Sequence, residues 1–503
     1  MIGRLRALLK RLARTVPAGN LAARTLKSGM WMSAMQVSDR FLQIILLVVL
    51  AALLGPAAFG IMGIALVTIN ALQRFSRLGF NEALIQDADE NVDSYLNTAW
   101  TLQVLRGLVL AGITIAAAPF IADVFNEPAA TDVLRAIAVS PLLVGLRNPG
   151  IVYFKKNLEF HKQFVYRMSG SLLNFVVALG VAFLITQSVW ALVTGYVLAD
   201  ATRSTVSYFL HDYRPWVGFD REIASELFGY GKWITGSGGI LFLINEGDDA
   251  VLGILLSSTA LGLYQVGYRL GKAPSREITQ IVSSVLFPTY SKLQDDLDSL
   301  RRVFFLTVRV TTLLSFPVGI GIVVIAPTFV RGFMGADWLP MVPAMQLIAV
   351  YGLLVSFAAT FGPVWKALDR PDYITKLGAV RLVLMALIVF PAVNRWGITG
   401  MAAVVTGVYL FAIMPLDVYL SADIVETTPM RLLSEVTYPT ISSLVMGGVV
   451  YAVGDNVAFD PVLEFALLVV VGAVTYAVGV LVLETLFDWG LQRDVQQVLD
   501  AVG

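Results

Sequence analysis

Long apolar runs, broken by short polar or turn-forming segments, recur along the whole 503-residue chain. A helix needs about 20 apolar residues to cross a bilayer. The pattern predicts fourteen such spans, at about 30–54, 58–86, 95–122, 133–154, 163–185, 188–210, 232–256, 260–288, 302–330, 341–366, 373–393, 397–421, 435–454 and 462–487. The expected fold class is an all-α polytopic membrane protein of about 14 transmembrane helices.

The runs also repeat. Leu53-Leu54-Gly55-Pro56-Ala57-Ala58-Phe59-Gly60-Ile61-Met62 returns as Leu255-Leu256-Ser257-Ser258-Thr259-Ala260-Leu261-Gly262-Leu263-Tyr264, in each case an apolar stop, a turn, and a restart at Ala-(Phe/Leu)-Gly. Ala118-Pro119-Phe120 returns as Ala326-Pro327-Thr328, and Val193-Thr194-Gly195 as Val405-Thr406-Gly407. Three echoes in the same order imply two homologous halves of six spans each. Because six is even, both halves enter from one side, so a pseudo-two-fold axis along the membrane normal is expected. Two C-terminal helices lie outside the repeat. The expected organisation is a basic amphipathic segment (1–27), an N-lobe (28–212), a cytoplasmic linker (213–231), a C-lobe (232–421), and helices 13 and 14 with a short tail (422–503).

Composition narrows the picture. The chain is 57% apolar and 14% charged, more apolar than a soluble fold of this size can hide. It has no cysteine and only His161 and His211, both in polar connections, so disulfides, thiol chemistry and a histidine metal site are not expected. Lys and Arg crowd the loops that are cytoplasmic if the N-terminus is inside, whereas Arg331 and Arg395 alone fall in the opposite loops. That bias sets both termini in the cytoplasm of a cell-membrane protein. Tryptophans such as Trp31, Trp190 and Trp338 fall where an interfacial belt is expected.

Polar residues inside the spans are the candidate chemistry. Gln36, Asp39, Arg40 and Gln43 share a face of the first span, and Asn70, Gln73, Arg74, Arg77 and Asn81 share one of the second. Gln265, Arg269, Lys272 and Arg276 do the same on the eighth. A charge at the bilayer centre costs roughly 2.5–3.5 kcal/mol on insertion scales, so these stripes must face protein or water. With Arg381 they predict a hydrated, basic cavity for an anionic ligand, and guanidinium forks suit phosphate. On the seventh span Glu246, Asp248 and Asp249 crowd three carboxyls that cannot all stay ionised, the pattern of a proton or Na⁺ coupling site or of an outer mouth facing water.

A resemblance can be named on these residues. Leu53 to Gln86, Asn97-Thr98-Ala99-Trp100, Val189-Trp190-Ala191-Leu192-Val193 and Asp248 to Asp296 are similar to the polysaccharide transporter (Wzx-like lipid-linked oligosaccharide flippase) family of the multidrug/oligosaccharidyl-lipid/polysaccharide exporter superfamily. The likeness runs over about residues 25 to 425. It implies two six-helix lobes, alternating access, and a polyprenyl (pyro)phosphate-linked oligosaccharide moved to the outer leaflet for cell-surface polysaccharide such as lipopolysaccharide. Relatives usually show Asn and one Asp at the acidic run, matched best by Asp248, so Glu246 and Asp249 depart from the pattern. No cofactor or nucleic-acid partner is expected. The expected partners are the lipid-linked substrate, membrane lipids and, for a functional monomer, glycan polymerisation or transfer machinery. The competing reading in the same fold is a cation-coupled multidrug exporter. A glycosyltransferase is disfavoured because the short outer loops leave no room for a catalytic domain.

Overall fold

The computed structural model describes residues 21–76, 93–157, 159–457 and 459–487, and every regular element among them is helical. In chain order these are α1 (Leu21–Leu53), α2 (Pro56–Arg74), α3 (Asp93–Val124), α4 (Ala130–Ile137), α5 (Val139–Gly145), α6 (Tyr153–Lys156), α7 (Phe160–Leu184), α8 (Val189–Leu210), α9 (Arg221–Leu255), α10 (Ser258–Lys292), α11 (Leu297–Phe333), α12 (Val342–Phe357), α13 (Phe361–Ala367), α14 (Asp372–Val408), α15 (Met414–Ile424), α16 (Pro429–Asn456) and α17 (Pro461–Phe487). Nine stretches among the described residues are long and apolar enough to cross a membrane. They carry ten of the fourteen expected spans, since Asp372–Ile424 holds two.

Of the other four expected spans, three are helical where the sequence pattern places them and the fourth span is not a single helix. The fourth is segmented: α4, α5, a 3₁₀ turn at Pro149–Val152 and α6 replace one helix, with Pro141 and Pro149 removing backbone donors along the way. The sixth, seventh and eighth are the continuous helices α8, α9 and α10. The first three turns of α9 occupy residues 221–231, which the sequence pattern places in a linker. Between the eleventh and twelfth spans the chain reverses at Gly397, whose φ of +56° is a left-handed conformation that suits a residue without Cβ.

Packing divides the chain into two units: Met1–Leu54 with Ile61–Gly247, and Gly55–Gly60 with Asp248–Gly503. The first turn of α2 therefore packs with the second unit, and the repeated motif shows how. A Cβ on Gly60 would lie 1.6 Å from the carbonyl oxygen of Ser258, and one on Gly262 would lie 2.0 Å from that of Pro56. Both copies of Ala-(Phe/Leu)-Gly keep glycine because the starts of α2 and α10 meet backbone to backbone. Phe59 stacks edge-on against Trp338 at 5.3 Å beside this contact. Trp338 is fully buried, so it is core and not the interfacial anchor its position suggests. The second echo is also structural, since Pro119 and Pro327 both sit inside long helices, α3 and α11.

In the first unit Tyr95, Leu96, Ala99, Leu102, Val152 and Ala224 form a core that joins α3 and α9. The Asn97-Thr98-Ala99-Trp100 motif gains a physical role here. Asn97 Oδ1 accepts from the Tyr213 hydroxyl (2.8 Å) and the Trp216 amide (3.1 Å), while Thr98 and Thr101 accept from the amides of Asp220 and Gly218. The polar side chains on α3 thus satisfy the backbone amides of Trp216, Gly218 and Asp220 and the Tyr213 hydroxyl, and strap residues 213–220 to the helix.

In the second unit α16 and α17, the pair outside the repeat, are tied to α11 by polar contacts. Glu435 accepts from Nε and Nη2 of Arg309 (3.0 and 2.7 Å), and Glu464 accepts from Thr328 (2.8 Å). Apolar packing of Ile325, Met446, Val450 and Leu468 completes the attachment.

Candidate functional site

The stripe on α1 splits in two. Asp39 is buried and turned into the first unit, where it accepts from Ser171 (2.5 Å), Arg167 Nε (3.1 Å) and Gln43 (3.1 Å). Arg40 lies on a more accessible side and donates to Gln43 at 3.3 Å, and Gln36 is half-buried. Ser171 passes the network on through Arg203, which pairs with Asp200 at 3.3 Å. Asp200 also holds Arg147 at 2.7 Å and accepts from Ser140. Two buried carboxylates and three arginines thereby join α1, α5, α7 and α8, with every carboxylate met by a guanidinium.

The stripe on α2 has a different partner. Glu246 accepts from Asn70 (3.0 Å) and pairs with Arg74 (3.2 Å), and the side chains are 16% and 32% exposed for Glu246 and Arg74. Close approach of α2 to α9 makes the pairing reachable: a Cβ on Gly238 would stand 3.1 Å from the Arg74 carbonyl oxygen, and one on Gly239 would stand 2.7 Å from the Phe75 ring. Arg106 of α3 donates to the Gln73 carbonyl (2.8 Å) and to Ser76 (2.9 Å), placing a cation at the C-terminal end of α2 where the helix dipole favours it. Arg77 and Asn81 lie outside the described residues.

On α10, Gln265 is buried and Arg269 exposed. Arg276 is on the helix, and its side chain lies outside the described residues. Lys272 turns inward and donates to the Tyr268 hydroxyl at 2.9 Å, with its ammonium 5.1 Å from the Tyr268 ring centre and 4.9 Å from that of Tyr351. Arg381 lies over Tyr351 (5.2 Å) and Tyr409 (5.7 Å). The acidic run separates likewise: Glu246 belongs to the first unit, whereas Asp248 belongs to the second and accepts from the Tyr264 hydroxyl (2.8 Å) and the Asp249 amide (3.1 Å). The crowded triad is thereby relieved, because Glu246 and Asp248 have different partners.

Sequence reasoning did not single out Arg147 and Arg167 or the four tyrosines 264, 268, 351 and 409. The four-residue spacing of Tyr264 and Tyr268, one helical face shared with Lys272, was the available signal. The second unit also contains an apolar cavity of about 620 Å³, lined by residues including Leu270, Leu313, Ile325, Met345, Met446 and Leu468. No group of three or more His, Asp or Glu able to hold a metal is present among the described residues.

Long apolar helices and the outward-facing Phe120, Leu184, Phe209 and Phe411 define a multi-pass membrane protein. Its fold is that of a known class of transporter. The chain is similar to the lipid II flippase MurJ in an inward closed conformation (TM-score 0.75, 13% identity, 90% of this chain and 98% of that one). It is also similar to an inward-facing multidrug resistance MATE family transporter of the MOP superfamily (TM-score 0.61, 14% identity, 77% and 96%). Residues 49–343 match the family model described as polysaccharide biosynthesis protein, and the chain belongs to that family. Among its relatives are the lipopolysaccharide biosynthesis protein WzxC of Escherichia coli K12 (26% identity, 73% of this chain and 74% of the relative) and the teichuronic acid biosynthesis protein TuaB of Bacillus subtilis 168 (24%, 79% and 83%). The succinoglycan biosynthesis transport protein ExoT of Rhizobium meliloti is 24% identical over 69% of this chain and 70% of the relative.

Proposed function

We propose that the protein is a flippase that moves a polyprenyl (pyro)phosphate-linked oligosaccharide from the cytoplasmic to the outer leaflet of the cell membrane by alternating access, with both termini cytoplasmic. The observation that carries this reading is the group Asn70, Arg74 and Glu246. A partly exposed guanidinium at the C-terminal end of α2 is held by a carboxylate whose place on it a phosphate oxygen can take, Asn70 anchoring that carboxylate. Glu246, the acid that departs from the family pattern, acts as the placeholder anion. Arg40 of the first unit and Arg269 of the second are further basic residues of this proposal, and the apolar cavity within the second unit suits hydrocarbon. The names of relatives in lipopolysaccharide, teichuronic acid and succinoglycan synthesis support a glycan cargo.

The test is headgroup translocation in liposomes of an undecaprenyl pyrophosphate-linked sugar by the full chain and by an Arg40, Arg74, Arg269 triple-alanine variant. Loss of translocation in the variant supports the assignment, and transport that continues unchanged overturns it. Repeating the assay at several imposed potentials reports the charge moved, since each uncompensated charge is driven by roughly 2.3 kcal/mol per 100 mV. A second reading, export of small amphipathic molecules, is favoured only by the MATE-like fold and the apolar cavity. Dye efflux without translocation of the lipid-linked sugar selects it.

A further inference from the structure

The connection between α8 and α9, residues 211–220, has no regular structure, yet one side of it is held almost residue by residue. Besides the acceptors that α3 gives to the amides of Trp216, Gly218 and Asp220, the Tyr213 amide donates to His211 Nδ1 (3.1 Å). The Tyr213 carbonyl accepts from Asn148 Nδ2 (2.7 Å), and the imidazole of His211 is stacked on Tyr153 with ring centres 5.6 Å apart. Arg214 folds back to donate to the carbonyls of His211 and Tyr213 (2.7 and 3.0 Å), and Pro215 has no N–H to satisfy. The amides at 213, 216, 218 and 220 are thus met from inside the first unit and do not call for water.

The opposite side is apolar and open. Trp216, Val217 and Phe219 are 69%, 74% and 67% exposed, and Gly218 between them is pressed to α3, where a Cβ would stand 3.2 Å from that of Asn97. Large apolar side chains held outward on so tied a segment form a contact surface rather than a loose loop. The patch starts where a membrane-crossing helix stops. The sixth expected span, α8, ends at Leu210, and Phe209 in its last turn faces outward at 82% exposure. Aromatic side chains concentrate at such crossings, where a ring sits among headgroups and the first acyl carbons. The charges of the segment and its flank, Arg214 and Arg221 against Asp212, Asp220 and Glu222, make no basic surface. Asp220 is moreover engaged in capping α9 through the amides of Glu222 and Ile223 (2.8 and 3.2 Å). The attraction this surface offers is therefore apolar, which fits the boundary of a bilayer and does not require anionic lipid.

We infer that Trp216, Val217 and Phe219 form a lipid-contact surface of the first unit, seated between headgroups and acyl chains of the leaflet on that side, while Asn97, Thr98 and Thr101 hold the backbone behind them. Because Asp220 closes the segment and caps α9, the contact sets the depth at which α9 begins. That the leaflet is the cytoplasmic one rests on the topology of the proposed function. The contact itself depends on neither that topology nor the cargo.

The chain contains no cysteine, so a single introduced thiol can be spin-labelled without ambiguity. The full chain labelled at Val217→Cys is reconstituted in phosphatidylcholine vesicles, and relaxation of the nitroxide by molecular oxygen and by a water-soluble nickel chelate is recorded. A label at Asp212→Cys, an exposed polar position of the same segment, gives the reference. The oxygen-to-nickel ratio should be several-fold higher at 217 than at 212, and should stay so in high salt. Equal ratios at the two positions overturn the proposal, as does a difference that collapses with salt. A label at 217 shielded from both reagents overturns it too, and dipolar broadening that grows with the protein-to-lipid ratio then assigns the patch to a second copy of the chain. Should Val217→Cys not purify, Phe219→Cys is read by the same criteria. For the native side chain, the fluorescence lost in Trp216→Ser should be the part quenched by brominated phosphatidylcholine and spared by aqueous iodide, and the reverse pattern counts against the contact. No substrate enters these measurements. A wild type that moves no lipid-linked sugar yet shows the high ratio at 217 refutes the flippase reading alone.

Discussion

The two units handle buried charge in opposite ways. In the first, Asp39 and Asp200 are each met directly by arginine, and hydroxyls of Ser140 and Ser171 fill remaining acceptor positions. In the second, Asp248 and Asp417 meet tyrosine hydroxyls, while Lys272 and Arg381 lie on tyrosine rings. The strong ion pair inside the second unit, Arg309 with Glu435, belongs to the attachment of α16. Direct pairs fix helices to one another, because removing either partner strands a charge in a low-dielectric interior. Tyrosine rings and hydroxyls keep the second unit's acids and cations from pairing directly. The first unit thus ties its buried acids with direct ion pairs, whereas the second spaces Asp248 and Asp417 from its cations with tyrosines.

The sharpest way to break this comparison is to remove an acid from each unit. Asp200→Ala strands Arg147 and Arg203 and should cost about 3–5 kcal/mol, read as a large fall in thermal stability in detergent. Asp417→Asn, which keeps the Tyr409 hydrogen bond and strands no paired cation, should stay within about 1 kcal/mol of the wild type. Equal losses in the two would erase the distinction. Next in size is Gly262→Ala, whose methyl would meet the Pro56 carbonyl oxygen at 2.0 Å and force the repeated turns apart, for about 1–3 kcal/mol. The same change at Gly112, which has open space around it, should be neutral in the same melting assay. Asn97→Ala leaves the Trp216 amide and the Tyr213 hydroxyl without their acceptor, for about 1–2 kcal/mol, and should raise hydrogen exchange selectively over residues 213–220.

The smallest effect is set by pH in that same strap. Burial, then the nearby Lys162, holds the imidazole of His211 below its ordinary range, and its Nδ1 accepts from the Tyr213 amide at 3.1 Å. A base whose folded value is lowered contributes fully above its unfolded value, and that contribution is lost as pH falls through the lowered one. Exchange at Tyr213 should therefore rise on acidification below the usual histidine range, and His211→Gln should flatten the dependence.

Much of the fold was legible because an apolar run of bilayer length has few other outcomes. The repeat was legible too, and its glycines proved to mark a backbone contact between the turns. The fourth span was not, since Pro141 and Pro149 break a helix without lowering its hydropathy. The candidate site was legible on one side only. A stripe such as Asn70 and Arg74 shows on its own helix, but its partner Glu246 lies 176 positions on, and Arg167 lies 128 positions from Asp39. Nor does spacing reveal which neighbour in a run of acids faces which way. Glu246 and Asp248 are two residues apart and serve different units, because helical positions two apart point about 160° away from each other.

The central claim is that Arg74 receives the phosphate that Glu246 stands in for. Binding of the undecaprenyl pyrophosphate-linked sugar to the full chain, compared between wild type, Glu246→Gln and Arg74→Gln, tests it most directly. Glu246→Gln should bind several-fold more tightly, because the competing anion is gone, and Arg74→Gln should bind at least tenfold more weakly, a loss of about 1.4 kcal/mol or more. Binding that weakens in Glu246→Gln, or that is unchanged in Arg74→Gln, would contradict it.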